Sequence, residues 1–376
     1  MKIYTICWVV LLLSITNTSS YGQSDLPVGV SLYLEKDTTQ DIKATIDLIT
    51  RFFRAKPFSD EQGAYWLKDD RKYLKYPYLR LLDGMKSPFL GDDYYYKPTI
   101  INIVTHNDSV KTVSIGYIHG ESNGTTQLNC IQKIVIKNGK IGSFLLNNPS
   151  KNVVKEKIGN ILFIKERSIK SNQKQIDSLQ KFNTFLAKLL HTDTLSFVYV
   201  VAQNFAGIQK MREPLYSFLD DYYDILGGEA EVWNKVLYVG NGSFYYPHEL
   251  VHLYTYHLFP LTKSPIFDEG LATYLGGAQS HSLKWHLKKL KAYVVGNKID
   301  LGDFDGLMFT EGITNIDYAI GGLICKLTYE RKGFTGLKTL FEAGEANENA
   351  YLAIEKVLGV KKQDLNIFLR KELLRY

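Results

Sequence analysis

The stretch Tyr245-Tyr246-Pro247-His248-Glu249-Leu250-Val251-His252-Leu253 constrains this chain more than any other, because it sets an H-E-x-x-H pattern at the head of a helix. Four residues make about one helical turn, so His248 and His252 project from one face with both imidazoles free to hold a single metal ion. Glu249 sits beside that face. A third ligand must come from elsewhere, and Pro265-Ile266-Phe267-Asp268-Glu269-Gly270-Leu271-Ala272 offers Glu269 at the opening of a second apolar helix. Two histidines and a carboxylate leave the fourth position of a tetrahedral ion for water, which is what separates catalytic from structural zinc.

In a chain with 8 histidines this pattern is expected by chance only on the order of 0.01 times, so coincidence is not a serious rival. A third histidine ligand is excluded by the sequence. It would require glycine at position 255 and histidine at 258, where the chain has Thr255 and Leu258. His257 lies off the ligand face and reads as a packing histidine. His281 and His286 read as surface residues on a basic helix with Lys284, Lys288 and Lys289.

At the start of the chain, Lys2 precedes the apolar run Ile6-Cys7-Trp8-Val9-Val10-Leu11-Leu12-Leu13, followed by polar residues and a small-x-small site at Ser20 and Gly22. This order predicts a secretory signal peptide over residues 1–22, cleaved after Gly22. The run is shorter than the about 20 residues a spanning helix needs, and no later segment is more apolar. An exported protein, periplasmic or extracellular and without stable membrane insertion, is therefore expected. Its net charge of +6 is scattered and argues for neither nucleic acid nor membrane as a partner. Once Cys7 leaves with the signal, Cys130 and Cys325 remain; they fall in different units and read as buried apolar thiols, not metal ligands.

A hydrophobic content of 45% over 376 residues is enough for two ordinary domains. Residues 23–150 form the first. Ile42, Ile46, Ile49 and Phe53 recur at helical spacing, and short helices are expected around Glu61–Trp66 and Leu79–Leu82. Strands are then expected over Ile100–Thr105, Val110–His119, Leu128–Lys137 and Ile141–Leu146, separated by turns at Asn107-Asp108, Asn123-Gly124 and Asn138-Gly139. Helices followed by an antiparallel sheet make an α+β domain. In element order it resembles the cone-shaped nuclear-transport-factor-2-like fold. It holds no convergent His, Asp or Cys cluster, so a spacer, or a domain that docks a partner or substrate, is the expectation.

Asn147-Asn148-Pro149-Ser150-Lys151-Asn152 is polar and broken by proline, and it reads as the linker to a second domain over residues 153–376. Asn160–Ile164, Leu195–Ala202 and Val236–Val239 are strand-like, while Gln175–Leu190 carries Ile176, Leu179, Phe182, Leu186 and Leu189 on one helical face. These strands precede the metal helix, and a sheet beside it is where an extended peptide adds as a further strand.

The second unit resembles the gluzincin metallopeptidases, the broad peptidase-MA and M1-like group with a thermolysin-like catalytic domain: a small sheet followed by a mostly helical half. The resemblance is carried by His248-Glu249-Leu250-Val251-His252, by Asp268-Glu269-Gly270-Leu271-Ala272 and by Tyr318-Ala319-Ile320-Gly321-Gly322. It implies one zinc ion held by His248, His252 and Glu269, a general base at Glu249 and a transition-state tyrosine at Tyr318. Asp268 and Thr273 are candidates to hydrogen-bond the ligands from behind, and Gly321 would let its helix approach the metal helix. Residues 253–268 make a shorter connection than in the aminopeptidases of the group. The Gly-x-Met-Glu-Asn segment that grips a free amine is also missing, and Gly240-Asn241-Gly242-Ser243 offers no carboxylate for it. The expectation is a peptidase acting on peptide or protein, and not a typical aminopeptidase. Two alternatives remain open: an inactive zinc domain serving a binding protein of the cell envelope, and a zinc hydrolase of another amide or ester.

Overall fold

The computed structural model describes residues 28–87, 93–120, 124–212, 214–217, 227–260, 264–307, 309–310 and 314–376. The signal peptide expected over residues 1–22 lies outside them, as does Asn123 of one expected turn. The architecture is mixed α+β, with helices and a sheet first and a mostly helical region last. Among the described residues no helix is long and apolar enough to cross a membrane.

The first part runs β1 (Gly29–Val30), α1 (Leu32–Glu35), α2 (Gln40–Arg54), α3 (Asp60–Ala64) and α4 (Leu79–Asp83), then the meander β2 (Lys97–Asn107), β3 (Val110–Gly120), β4 (Thr126–Lys137) and β5 (Lys140–Ser143). The α2 face is the one the spacing predicts, extended by Leu48 and Phe52; Ile49, Phe52 and Phe53 are fully buried against Trp66, Tyr78, Ile115 and Tyr117. Asn138 and Gly139 both take left-handed φ (50° and 68°), which closes a two-residue hairpin with Lys137 opposite Lys140. The last strand is shorter than expected. Phe144–Asn147 is helical (α5), not strand, because the buried Asp70 carboxylate takes the Ser143 amide at 2.6 Å and the Asn147 side chain at 2.9 Å. Ser143, still paired with Ile134, caps the turn by accepting from the Leu146 amide. The sheet is an open path β1-β2-β3-β4-β5 among the described residues.

The second sheet uses β6 (Val153–Ile158), β7 (Ile161–Glu166), the crossover helix α6 (Gln173–Leu189), β8 (Phe197–Val201), α7 (Phe205–Met211), β9 (Pro214–Ser217), β10 (Gly228–Glu231) and β11 (Val236–Val239). Its order is β10-β11-β8-β7-β6, with β7, β8 and β11 parallel, whereas β9 leaves to pair with β4 of the first sheet. Strands buried on both faces read as unbroken apolar runs, and Phe197–Val201 is one. Because strand side chains alternate, Ile161, Phe163, Phe197, Tyr199, Val201, Leu237 and Val239 face the helical half. Leu162, Ile164, Val198, Val200, Val236 and Tyr238 point the other way, onto Leu74, Leu145 and Leu146 of the first part. Contacts thus cross the polar segment Asn147–Asn152 through both packing and a sheet ladder.

The helical half comprises α8 (Pro247–Leu258), α9 (Pro265–Gly276), α10 (Leu283–Gly296), the short pair β12 (Phe309–Thr310) and β13 (Thr314–Asn315), α11 (Ile316–Phe341), α12 (Asn347–Leu358) and α13 (Lys362–Leu373). The close approach expected of Gly321 is made to α9, not to α8, the helix that carries His248 and His252. A Cβ at Gly321 would overlap the Ile266 carbonyl oxygen, and one at Gly270 would overlap the Gly321 backbone. Cys325 is buried on the same interface, 3.6 Å from the Phe267 carbonyl, and Cys130 is buried in the first core; neither forms a disulfide. Because no flexible side chain can yield at the glycine contact, Gly321→Ala should lower stability by about 1–3 kcal/mol or more, read as a lower urea midpoint. An unchanged midpoint would mean that the two backbones are not in contact.

Candidate metal centre

Pro247 and Pro265 stand in the first turns of α8 and α9, where a missing N–H costs no helical bond. Burial of Leu250, Val251, Leu253 and Tyr254 on α8, and of Phe267, Leu271 and Ala272 on α9, rotates the remaining faces toward each other. Across that gap His248 Nε2 lies 3.2 Å from His252 Nε2 and 3.2 Å from Glu269 Oε2, and His252 Nε2 lies 3.6 Å from Glu269 Oε2. The edges of a tetrahedron drawn by zinc bonds of 2.0–2.1 Å measure about 3.3–3.4 Å, so the three atoms stand where ligands of one ion stand. Among the described residues these three form the His/Cys/Asp/Glu group that could hold a metal.

The rings are held from behind. His248 Nδ1 donates to the Gly277 carbonyl at 2.6 Å, and His252 Nδ1 faces Asp268 Oδ2 at 3.3 Å. A carbonyl and a carboxylate only accept, so each neutral ring keeps its lone pair on Nε2, toward the ligand cluster. Asp268 is itself fixed by Thr255 Oγ1 at 2.5 Å. The Gly277 carbonyl can reach His248 because Gly276 packs on the start of α8; a Cβ there would stand 2.6 Å from the His248 nitrogen.

Burial works against the charged His252 ring, but the adjoining carboxylates of Asp268 and Glu269 outweigh it and hold its pKa well above the ordinary histidine value. Burial would likewise raise Glu269. The charges and hydrogen bonds of His252 and His248 overcome that and hold it below the usual carboxylate range. Glu249, one residue past the first ligand, is pushed upward, chiefly by burial. Its chain lies against β10, where a Cβ at Gly228 would be 3.0 Å from Glu249 Cγ. Tyr318, in the first turn of α11, stacks on His248 with centroids 6.0 Å apart at 19°. Burial and then the neighbouring Glu269 carboxylate raise its pKa far above the phenol range, keeping it protonated.

His248, Glu249, His252, Asp268, Glu269 and Tyr318 are thus brought together. Thr273 hydrogen-bonds none of them, its buried hydroxyl having no hydrogen-bond partner. Two histidine expectations need correction. His257 is exposed and does not pack, and His286 is buried at 1% exposure, on the α10 face that carries Leu283, Leu287 and Leu290. His286 Nε2 meets the Ala278 carbonyl at 2.9 Å and Nδ1 meets Thr314 Oγ1 at 2.6 Å, so it pins the turn whose preceding carbonyl orients His248. The Gly277 carbonyl, Thr255 and His286 leave no signal in residue spacing. The strand β10 leaves no such signal either: Gly-Glu-Ala-Glu has the composition of a loop, yet its Gly228 rests against Glu249 of α8.

No protein-family model and no curated protein matches this chain.

Zinc uptake should displace protons, because Asp268 and Glu269 favour the protonated His252 ring and a histidine must free its Nε2 lone pair to become a ligand. Titration calorimetry in buffers of different ionisation enthalpy should show proton release on zinc binding, with affinity falling as pH falls. Zinc binding independent of buffer and pH would contradict the assignment of His252.

Proposed function

We propose that this protein is an exported zinc metallopeptidase of gluzincin type, hydrolysing internal peptide bonds. One observation carries the reading: three donor atoms at tetrahedral spacing, both rings anchored at Nδ1, beside a carboxylate on the same helix that is not one of the three. His248, His252 and Glu269 hold the ion. Bound zinc supplies Lewis acidity and acidifies water.

The chain's own groups do the rest. Glu249 is the proton acceptor, taking a proton on its carboxylate and returning it to the departing amine. Tyr318 is the neutral donor that hydrogen-bonds the charge growing on the substrate carbonyl oxygen, a task suited to a phenol held protonated. Asp268 and the Gly277 carbonyl keep the two imidazoles in register. A peptide substrate is favoured over a small ester by β10, an edge strand beside Glu249 that no strand among the described residues pairs on its outer side. An extended chain adds there by main-chain hydrogen bonds. Glu229 and Glu231 are engaged by Arg212 and Arg80, which leaves them poorly suited to grip a free amino terminus and favours endopeptidase action. In this reading residues 1–22 direct export, residues 23–150 form a cone-like accessory unit and residues 153–376 form the thermolysin-like catalytic unit.

Glu249→Gln should keep one zinc per chain by metal analysis while lowering turnover of a peptide library by about 10²–10⁴-fold or more. Loss of zinc in step with activity would make Glu249 a ligand and not a base. Tyr318→Phe should retain zinc and fold, and lower kcat by roughly 10²–10³-fold with little change in KM. A wild-type kcat in that variant would remove the tyrosine from the mechanism.

A further inference from the structure

We propose that Arg80, far from α8 in sequence, is a positioning residue that sets the edge strand β10 and hence the groove in which a peptide lies beside Glu249. The inference rests on the peptidase reading and assigns the first part of the chain a role in it. Arg80 stands on α4, with its backbone carbonyl held by Gln132 Nε2 of β4 at 2.8 Å. Its guanidinium reaches across to Glu231 Oε2 through Nε at 2.7 Å and Nη2 at 2.6 Å, and Nη2 also faces Glu229 Oε1 at 3.5 Å. Arg212 Nη1 binds the second Glu229 oxygen at 2.6 Å. Glu231 is 3% exposed and is saturated further by Asn234 Nδ2 at 2.5 Å and the Tyr238 hydroxyl at 3.1 Å. Asn234 in turn exchanges hydrogen bonds with the Tyr76 backbone, accepting from N at 2.7 Å and donating to O at 3.2 Å.

Alternation along β10 gives this network its consequence. Glu229 and Glu231 leave one face of the strand and are gripped by cations, whereas Gly228 and Ala230 leave the other. On that other face Gly228 rests on Tyr246 and Glu249, and Ala230 packs into the helical core. The strand is therefore fixed between an ion-pair network reaching into the first unit and the metal helix. A buried Glu231 and a half-buried Glu229 would not stay on a four-residue edge strand without paired cations. Releasing Arg80 frees β10 to shift relative to Glu249 while leaving the ligands on α8 and α9 untouched.

The test uses the full-length, zinc-loaded protein and two probes: acetohydroxamate, which needs only the ion, and an N-blocked dipeptidyl hydroxamate, which also needs the strand. Because Arg80→Met alone strands a buried charge, it is paired with Glu231→Gln, which removes that charge and keeps the shape. The double variant should bind zinc and acetohydroxamate within about twofold of wild type, and the dipeptidyl hydroxamate at least about tenfold more weakly. Arg80→Lys should recover part of that loss, since it restores the charge without the fork. Equal affinity of wild type and double variant for the dipeptidyl probe overturns the inference and leaves the peptidase reading standing. So does a parallel loss of zinc and both probes, which would make Arg80 a general stabiliser. A wild type that binds zinc but neither hydroxamate sinks the peptidase reading and this inference with it.

Discussion

The site depends on two hydrogen bonds that never touch the ion position: His248 Nδ1 to the Gly277 carbonyl and His252 Nδ1 to Asp268. Without them each ring is free to choose its tautomer and rotate, and the Nε2 lone pairs need not meet. Both acceptors belong to α9 or its end, the helix that also presents Glu269. One helix thus supplies one candidate ligand and orients the other two. Its own position is set by backbone contact with α11 at Gly270 and Gly321, and α11 carries Tyr318. Glu269, the two imidazole acceptors and Tyr318 are therefore carried on two helices in backbone contact, the kind of support that keeps a donor set within the tolerance a metal site requires.

The His248–His252–Glu269 cluster was legible because it obeys helix periodicity: residues four apart share a face, and an apolar segment opening on Pro265 had to be a helix. Asp268 was legible as the neighbour of a ligand. The Gly277 acceptor is a backbone group and has no letter to read. His286 was misread because Lys284, Lys288 and Lys289 made α10 look solvated, although the same helix turns Leu283, Leu287 and Leu290 inward with it. The edge strand failed for the opposite reason. Gly-Glu-Ala-Glu has the composition of a loop, and only Arg80 and Arg212, remote in sequence, make its carboxylates tolerable in a sheet.

The same long-range pairing explains what became of the two-domain expectation. The elements on each side of Asn147–Asn152 follow local pattern and are largely where periodicity puts them. Local pattern says nothing about Leu145 and Leu146 covering the far face of the second sheet, or about β9 adding to β4. Phe144–Leu146 even changes type, from strand to helix, where Ser143 caps the turn and Asp70 holds both Ser143 and Asn147. The result is a first part tied, through β9 on β4 and the Arg80 ion pair, to the sheet that lies beside Glu249.

The most direct measurement is a crystal soaked in zinc and recorded on both sides of the zinc absorption edge. The account predicts one strong anomalous peak at about 2.0–2.2 Å from His248 Nε2, His252 Nε2 and a Glu269 oxygen, with Glu249 outside the coordination sphere. A peak bound by Glu249 in place of Glu269, or no peak between α8 and α9, would contradict it.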